Sequence, residues 1–321
     1  MRVFGEKSVS KIGEKNLISR ICSILADVCP PSPNGSGDDC ALLKPEKLSN
    51  DVYITVDSVI YGKHFDDSCK PELVGEKLLK RNISDIASMG ARPTSAVCAG
   101  IISASVSVDW LDAFTKGLAD CAKSYGIDIV GGDIASVDGD FFSMSLTLLG
   151  QSEYPRLLRN CAKEGDYVFT TGELGYSFET SHHLTFSPRV EHGEFLAKTN
   201  ILKNAKITSC TDISDGLASD ICNILAPDCK AILDFIPQKI FNGSTSIEKS
   251  LCDGEDYELL FSVSATSEQL DNFINSYNST FGHKPILLGK VQKKEHSNEC
   301  PLWLNFGELK PFFKKGFEHL Y

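Results

Sequence analysis

The chain lacks the features that mark membrane-spanning, secreted and zinc-binding proteins. Its longest apolar stretch, around residues 96–102, is far too short to cross a bilayer. The opening sequence MRVFGEKSVSKIGEKN has no apolar core of the kind that secretory signals carry. Twelve cysteines are spread along the chain without a CxxC pair, which argues against zinc or thioredoxin-like sites. We therefore expect a cytoplasmic protein in which most cysteines are small buried apolar residues.

The balance of charge and the missing phosphate-binding motifs narrow the function further. Non-specific nucleic-acid binding needs a positive surface, and the formal net charge of −11 argues against it. The chain has no GxxxxGK[S/T], and no glycine loop followed by HRD or DFG. An acidic chain can still bind anionic substrates when metal ions lie between the two. An ATP-using enzyme with this sequence must therefore have another architecture.

Hydrophobic periodicity predicts alternating strands and helices. One apolar helix face runs from Leu17 to Val28, and a second helix is predicted to begin near Asp109 as its N-cap. Strand-like runs cover residues 52–59, 94–102, 141–150, 166–172, 231–235 and 285–291. This order indicates an α/β or α+β protein without internal repeats. Its 321 residues suffice for two domains, which we place at 1–150 and 151–321.

Several aspartates stand where local structure does not require them. Asp57 interrupts the apolar strand ITVDSV, although a buried carboxylate needs a cation or strong donors. Asp85 shares a helix face with Asn82 close to the helix end, where negative charge is disfavoured. Asp133 follows a glycine pair that we place directly after an apolar strand, where backbone can approach a ligand. A turn, a cap or a loop would explain each aspartate singly.

Two further segments add carboxylates near predicted element boundaries. TDISDGLASDI places Asp212 and Asp215 around Ser214 just before an amphipathic helix, although ordinary helix capping explains either residue alone. GEDYELLF places Glu255 in a loop that leads into a strand. Hard oxygen ligands favour magnesium, and several magnesium ions held by aspartates indicate a nucleoside triphosphate. The candidate set is Asp39, Asp57, Asp85, Asp133, Asp212 and Asp215.

These segments resemble one known family. SGDDCALL, TVDSVIYGKHF, NISDIASMGARP, GGD, DISDGLASDI, GEDYELLF and KKGFEHL occur in the order seen in thiamine-monophosphate kinases. That family belongs to the superfamily of aminoimidazole ribonucleotide synthetase, selenophosphate synthetase and a hydrogenase maturation factor. The resemblance runs from about residue 35 to residue 319. It implies an N-terminal sheet domain that pairs with a second subunit into a barrel-like homodimer, a C-terminal α/β domain, and ATP with magnesium in the cleft between domains.

The resemblance also implies roles for particular residues. The implied magnesium ligands are Asp39, Thr55, Asp57, Asp85, Asp212 and Asp215. The implied nucleotide contacts are Gly132, Asp133, Arg159 and Ser214. The implied contacts to thiamine phosphate are His64, Glu255 and Phe317. Taken singly, several of these, such as His64 and Arg159, would be ordinary surface residues.

The chain departs from the family pattern at two places. Val56 stands where the family usually has a hydroxyl residue, so a metal contact there would be made by the backbone or lost. The segment TTGELGYSFETSHHLTFSPR is shorter than its family counterpart, and it leaves His182 and His183 outside the implied site.

The implied reaction is phosphorylation of thiamine monophosphate by ATP, with several Mg²⁺ ions. The acceptor is an ionised phosphate oxygen, so no strong general base is required, and direct in-line transfer without a phosphoenzyme is expected. No nucleic-acid or membrane partner is expected. Two alternatives stay open: another ATP-dependent synthetase of the superfamily, and a non-catalytic nucleotide-binding protein that kept the fold.

Overall fold

The computed structural model describes residues 40–43, 51–202, 205–314 and 316. The helix predicted over residues 17–28 lies outside these residues, as do Asp39 and Phe317. The described chain forms two β-sheets with seven helices, a mixed α/β architecture of the predicted class. Within the described ranges, neither sheet closes into a barrel, and no helix is both long and apolar enough to span a membrane.

The first sheet has five strands in the order β1-β2-β5-β3-β4. Strands β3 and β4 pair in parallel, and the other neighbours are antiparallel. Its elements are β1 (Ala41–Leu43), β2 (Asp51–Ile60), α1 (Pro71–Ser88), β3 (Arg92–Ser103), α2 (Val108–Tyr125), β4 (Asp128–Val137) and β5 (Phe142–Ser152).

The second sheet has seven strands in the order β12-β11-β8-β10-β6-β9-β7. All its pairs are antiparallel except β8 with β11. Its strands are β6 (Tyr167–Thr170), β7 (Lys206–Asp212), β8 (Cys229–Leu233), β9 (Leu259–Ser264), β10 (Ile286–Lys293), β11 (Leu302–Asn305) and β12 (Leu309–Pro311). Its helices are α3 (His182–Thr185), α4 (Val190–Leu202), α5 (Leu217–Ile224), α6 (Ile247–Cys252) and α7 (Ser267–Phe281).

Helix α1 is the central helix of the molecule. It packs on the first sheet and on α2, and on its other side against α3, α4 and β7. Close approach on both sides depends on glycine: a Cβ at Gly75 would collide with the Phe114 carbonyl oxygen, and one at Gly193 with the Ala87 carbonyl oxygen. Twelve of its 18 residues are buried, including charged and polar ones, so α1 places polar side chains between the two sheets.

The first sheet has an inner face under the helices and an outer face on which none of the described helices packs. Along β5 the even-numbered residues, from Phe142 to Leu148, are buried, and the odd-numbered serine and threonine residues between them are half-buried. Pairing puts Val56 and Val97 in one outer row with Thr147. Val56 is 62% exposed, and Ile101 on the same face is 49% exposed. The outer face is therefore a partly apolar surface that the described residues leave uncovered.

The structure confirms the six predicted strands, each within a few residues of its predicted ends. The predicted N-cap of α2 was wrong: Ser107 caps this helix, its side chain accepting a hydrogen bond from the Trp110 backbone nitrogen, because the helix begins one residue before Asp109. The glycine pair before Asp133 does not follow a strand but lies inside β4. The domain division at residues 150 and 151 stays a prediction, and β5 runs to Ser152.

Candidate active site

Three segments bring predicted ligands together around α1. Thr55 on β2 donates a hydrogen bond to Asp85 on α1, with 2.5 Å between Oγ1 and Oδ2. Ser84, the neighbouring residue of α1, donates to Asp212 at the end of β7, with 2.7 Å between Oγ and Oδ2. Thr55 is 8% exposed and Asp212 only 2% exposed. The first and second sheets therefore meet at this polar cluster, and the metal role assigned to Thr55, Asp85 and Asp212 stays a prediction.

Asp57 lies on the same inner face of β2 and faces a cation from α1. Its Oδ2 atom is 3.0 Å from Nε of Arg81, and its Oδ1 accepts a hydrogen bond from the Ser58 backbone nitrogen at 3.1 Å. Arg81 also donates to the Ser58 carbonyl oxygen at 2.6 Å. Burial alone would lower the pKa of Arg81, but surrounding acidic groups hold it above its usual range: Asp57, Tyr257, Glu255 and Asp85.

The turn between β7 and α5 is built around a buried carboxylate. Asp220 of α5 accepts hydrogen bonds from the backbone nitrogens of Ser214 at 3.0 Å and Asp215 at 2.9 Å. Burial, followed by the charges of Asp215 and Asp212, raises the pKa of Asp220 well above its ordinary value, while Arg159 lowers it. Negative charge is thus concentrated at this turn, beside the Arg159 guanidinium. A bound divalent cation would reduce the repulsion between these carboxylates.

The GEDYELLF segment contributes a second buried ionic cluster. Glu255 pairs with Lys77 of α1, and its Oε2 lies 3.4 Å from Nδ1 of His183. Lys77 also contacts His183 Nδ1 at 3.0 Å and donates to the His64 carbonyl oxygen at 2.9 Å. Burial alone would raise the pKa of Glu255, but the His183 hydrogen bond and the positive charges of Lys77 and Arg81 lower it to about 2. Glu255 is therefore ionised at neutral pH.

The imidazole ring of His64 is fixed by its own turn. Its Nδ1 atom accepts a hydrogen bond from the Ile60 backbone nitrogen at 3.0 Å, so a neutral ring carries its proton on Nε2. The His64 backbone nitrogen in turn donates to the Ile60 carbonyl oxygen at 2.9 Å. The two predicted substrate contacts among the described residues, His64 and Glu255, are thus linked through the amine of Lys77.

The backbone around Glu255 is strained and held in place. Glu255 and Tyr257 have φ values of 63° and 52°, in the left-handed region that residues with a side chain seldom adopt. Two backbone hydrogen bonds to the neighbouring turn hold the segment: Glu255 N donates to Ser214 O at 2.7 Å, and Tyr257 N to Ile213 O at 2.8 Å. Strain of this kind, of about 1–3 kcal/mol per residue, is typical of functional sites.

Gly132 and Asp133 are the predicted residues that one chain does not bring to this cluster. Gly132 lies in the same cross-strand row as Asp57, with β5 and β3 between their strands. Three strand spacings amount to about 14 Å. Asp133 pairs with Ala99, in a row whose side chains point to the outer face of the sheet, opposite to the face of Asp57. Both residues are exposed on β4, and their assignment as nucleotide contacts stays a prediction.

The donor set fits magnesium by its chemistry. Thr55, Asp57, Asp85, Asp212 and Asp215 offer only oxygen atoms, which Mg²⁺ prefers. Among the residues that the structure describes, no three histidine, cysteine or acidic side chains are close enough together to hold a metal ion. The serine and threonine bridges and the Arg81 guanidinium separate the carboxylates instead.

The structure shows which way the side chain at position 56 points. Successive side chains of a strand point to opposite faces, and Val56 is exposed on the outer face while Thr55 and Asp57 face α1. A hydroxyl side chain at position 56 would therefore point away from the carboxylates. Any metal contact at this position would be made by the backbone.

Sequence reasoning missed five side chains of the site. Lys77, Arg81 and Ser84 lie on α1, where charged and small polar residues at this spacing indicate a solvated face. His183 was left out with His182, whose Nε2 contacts the Asp256 carbonyl oxygen at 3.0 Å, because the short helix α3 gave no pattern to place them. Asp220 had a usable signal, since SDGLASD puts a carboxylate on the buried face of an amphipathic helix.

Known proteins of similar sequence and fold identify the family of this chain. Residues 37–152 match the family of AIR synthase related protein, N-terminal domain. A thiamine-monophosphate kinase of Rhodopirellula baltica is 33% identical over 249 residues, covering 71% of this chain and 75% of that protein. That of Escherichia coli (strain K12) is 29% identical over 337 residues, covering 96% and 98%. The solved structure of AaThiL complexed with AMPPCP and TMP has a TM-score of 0.79 at 24% identity, covering 98% of this chain and 100% of that chain.

Residues 37–152 thus form a domain of the AIR synthase related class, in a chain whose fold matches that of AaThiL. Within that class, the chain belongs to the thiamine-monophosphate kinase family.

Proposed function

We propose that this protein transfers the terminal phosphoryl group of ATP to thiamine monophosphate, giving ADP and thiamine diphosphate. The observation that carries the proposal is the junction at α1, where the Thr55–Asp85 and Ser84–Asp212 hydrogen bonds join segments of both sheets into one polar cluster. The family relatives carry this activity in their names, and AaThiL was solved with AMPPCP and TMP. AMPPCP is an analogue of ATP, which supports ATP as the phosphoryl donor.

The reaction is a direct in-line displacement. An ionised oxygen of thiamine monophosphate attacks the γ-phosphorus, one P–O bond forms, and the bond to the β-phosphate oxygen breaks, leaving ADP. Bound Mg²⁺ supplies neutralisation of the phosphate charges. Asp57, Asp85, Asp212 and Asp215 would hold the metal, with Thr55 and the undescribed Asp39.

The proposed nucleotide and acceptor contacts are those that the family resemblance implies. Asp220 occupies the backbone nitrogens of Ser214 and Asp215, which leaves the Ser214 hydroxyl for the nucleotide. Arg159 beside this turn would contact a phosphate, and Gly132 with Asp133 completes the proposed nucleotide set. Glu255, which is ionised at neutral pH, would contact thiamine phosphate together with His64 and Phe317.

We propose that the working protein is a homodimer in the cytoplasm. The outer face of the first sheet carries exposed Val56, Val97 and Ile101, and β4 is an edge strand of that sheet. Exposed apolar surface on a sheet supports association with a second copy. Such pairing would also offer Asp133, on this outer face, a place near a site.

The test is an assay of the full-length protein with ATP, MgCl₂ and thiamine monophosphate, separating products by chromatography. Thiamine diphosphate and ADP are expected in equal amounts, and excess EDTA should abolish both. Asp212→Asn should lower kcat/KM at least about 100-fold, since metal ions stabilise the transition state by several kcal/mol. The matched control Asp228→Asn, whose side chain is 65% exposed and pairs with Lys293, should stay within about twofold of the wild type.

Three results would count against the proposal. ATP binding by calorimetry without any thiamine diphosphate would indicate a non-catalytic nucleotide-binding protein. ADP formation only with the ribonucleotide amidine precursor would indicate a ring-closing synthetase of the superfamily. Label from γ-labelled ATP that remains on the protein would contradict direct transfer.

A further inference from the structure

Arg81 places a permanent positive charge inside the proposed metal site. Its Nε is 3.0 Å from Asp57 Oδ2, and its terminal nitrogen donates to the Ser58 carbonyl oxygen at 2.6 Å. The side chain of Arg81 is 8% exposed, against 29% for that of Asp57. The guanidinium therefore contacts β2 from the interior side, and the Asp57 carboxylate lies between it and solvent.

The ion pair is close but not directional. Among the described residues, Nε of Arg81 has no aligned hydrogen-bond acceptor, although Asp57 Oδ2 is within 3.0 Å. Charge therefore dominates the contact, and the Asp57 oxygens are not fixed by a bidentate fork. A cation approaching Asp57 from solvent can still reach these oxygens, but it meets a second positive charge behind them.

One guanidinium serves several carboxylates here. The groups whose charges act on Arg81 include Asp57, Asp85 and Glu255, two of them proposed metal ligands and one a proposed substrate contact. Arg81 thus offsets one unit of the negative charge that would otherwise attract divalent ions. Arginine keeps its charge at every accessible pH, so this offset is permanent.

We propose that Arg81 is a positioning residue that acts as a resident cation: it holds Asp57 in place and weakens the binding of divalent ions at the Asp57 side of the site. This inference rests on the metal role of Asp57 and Asp85 in the proposed function. Its consequence is unusual for a buried arginine, because removal of Arg81 should improve a binding property.

The first experiment titrates Mn²⁺ alone, without nucleotide, into the full-length protein and detects free ion by electron paramagnetic resonance. Arg81→Gln keeps a donor for the Ser58 carbonyl oxygen but removes the charge, so the tightest Kd should fall at least about fivefold. Arg81→Lys, which keeps a positive charge, should bind within about twofold of the wild type. Arg92→Gln, the same substitution at an exposed arginine paired with Glu194, should also leave Kd unchanged. Adding Asp57→Asn to Arg81→Gln should remove the gain.

The second experiment does not depend on folding of the Arg81 variants. Asp57→Asn leaves a buried guanidinium without its nearest carboxylate, so the metal-free protein should melt about 3 °C lower or more. In a plain cluster of repelling carboxylates, neutralising one would instead raise Tm. An unchanged or raised Tm overturns the inference, as does Mn²⁺ binding by Arg81→Gln no tighter than that of the wild type. If neither wild type nor Arg81→Gln binds Mn²⁺, the proposed metal role fails and the inference fails with it.

Discussion

At the scale of single residues, Lys77 is the most constrained side chain of the site. It has no exposed surface, and its amine contacts Glu255, His183 and the His64 carbonyl oxygen. Replacement by methionine fills a similar volume but leaves Glu255 buried without its nearest cation. Because an uncompensated buried charge costs about 3–5 kcal/mol, Lys77→Met should lower the free energy of unfolding by that order. Urea unfolding followed by circular dichroism measures the change.

The same helix provides the matched control. Lys80 pairs with Glu76 one turn away at 2.6 Å, in a more exposed setting, and such i,i+4 pairs contribute roughly 0.5 kcal/mol. Lys80→Met should therefore change stability by less than about 1 kcal/mol. Equal losses for the two substitutions would show that Lys77 is an ordinary helix lysine rather than the counter-charge of Glu255.

The sequence singled out some residues of the candidate site and not others, and the difference has a physical reason. Asp57 and Asp85 stand out because a carboxylate in an apolar strand or near a helix C-terminus conflicts with its local environment. Lys77 and Arg81 present no such conflict, because cations four residues apart on a helix are usual on a solvated face. Only the burial of α1 from both sides makes them unusual, and that burial is a tertiary property.

At the scale of elements, alternation and turn residues predicted most strands. In strand β5, buried apolar residues alternate with half-buried hydroxyl residues, which is the pattern of a sheet covered on one face. The prediction failed at β4, whose glycines suggest a turn but lie within a strand, because an exposed edge strand lacks an apolar period. The α2 cap was misplaced by two residues, since Ser107 and Asp109 are both good capping residues.

The contact between α4 and α7 makes a pH-dependent prediction. His192 of α4 stacks on Phe281 of α7, with ring centroids 4.0 Å apart and planes 9° from parallel. Burial, aided by the charge of Arg189 and opposed by that of Glu258, lowers the pKa of His192 to about 4. The unfolded chain, with a histidine pKa near 6.5, therefore binds more protons than the folded chain between these values. Stability from this residue is complete above pH 6.5 and is lost as pH falls towards 4.

The variant His192→Phe keeps the stacked ring and removes the titrating group. Its free energy of unfolding should fall less between pH 7 and pH 5 than that of the wild type, by about 1–2 kcal/mol after allowance for partial exposure. Thermal or urea unfolding at several pH values measures the slope. His296→Phe, at an exposed histidine, should keep the wild-type slope. A parallel pair of profiles for wild type and His192→Phe would contradict the assignment.

At the scale of the molecule, the sequence predicted two sheet-rich halves and a helix that carries Asn82 and Asp85, but not the packing of this helix against both halves. The motifs of both halves converge because α1 belongs to the first sheet by chain order and contacts α3, α4 and β7 by packing. Chain order gives no information about this second set of contacts. Ser84, the neighbour of Asp85 on α1, makes the contact by donating a hydrogen bond to Asp212. A small serine on a helix gives no sequence signal of such a contact.

The outer face of the first sheet leads to a prediction about assembly. Ile101 is 49% exposed in the single chain and lies beside Val97 on that face, so a dimer formed there would bury it. Ile101→Glu would place two like charges in such an interface of an already acidic protein. We therefore expect this variant to be a monomer near 35.1 kDa, and the wild type to have twice that mass. Analytical ultracentrifugation at several concentrations measures the shift, with Val108→Glu, 71% exposed at the start of α2, as the control that stays dimeric. A wild type that sediments as a monomer would show that the protein does not form this dimer. An Ile101→Glu variant that stays dimeric would show that the interface lies elsewhere. In either case the apolar outer face would need an explanation within the single chain.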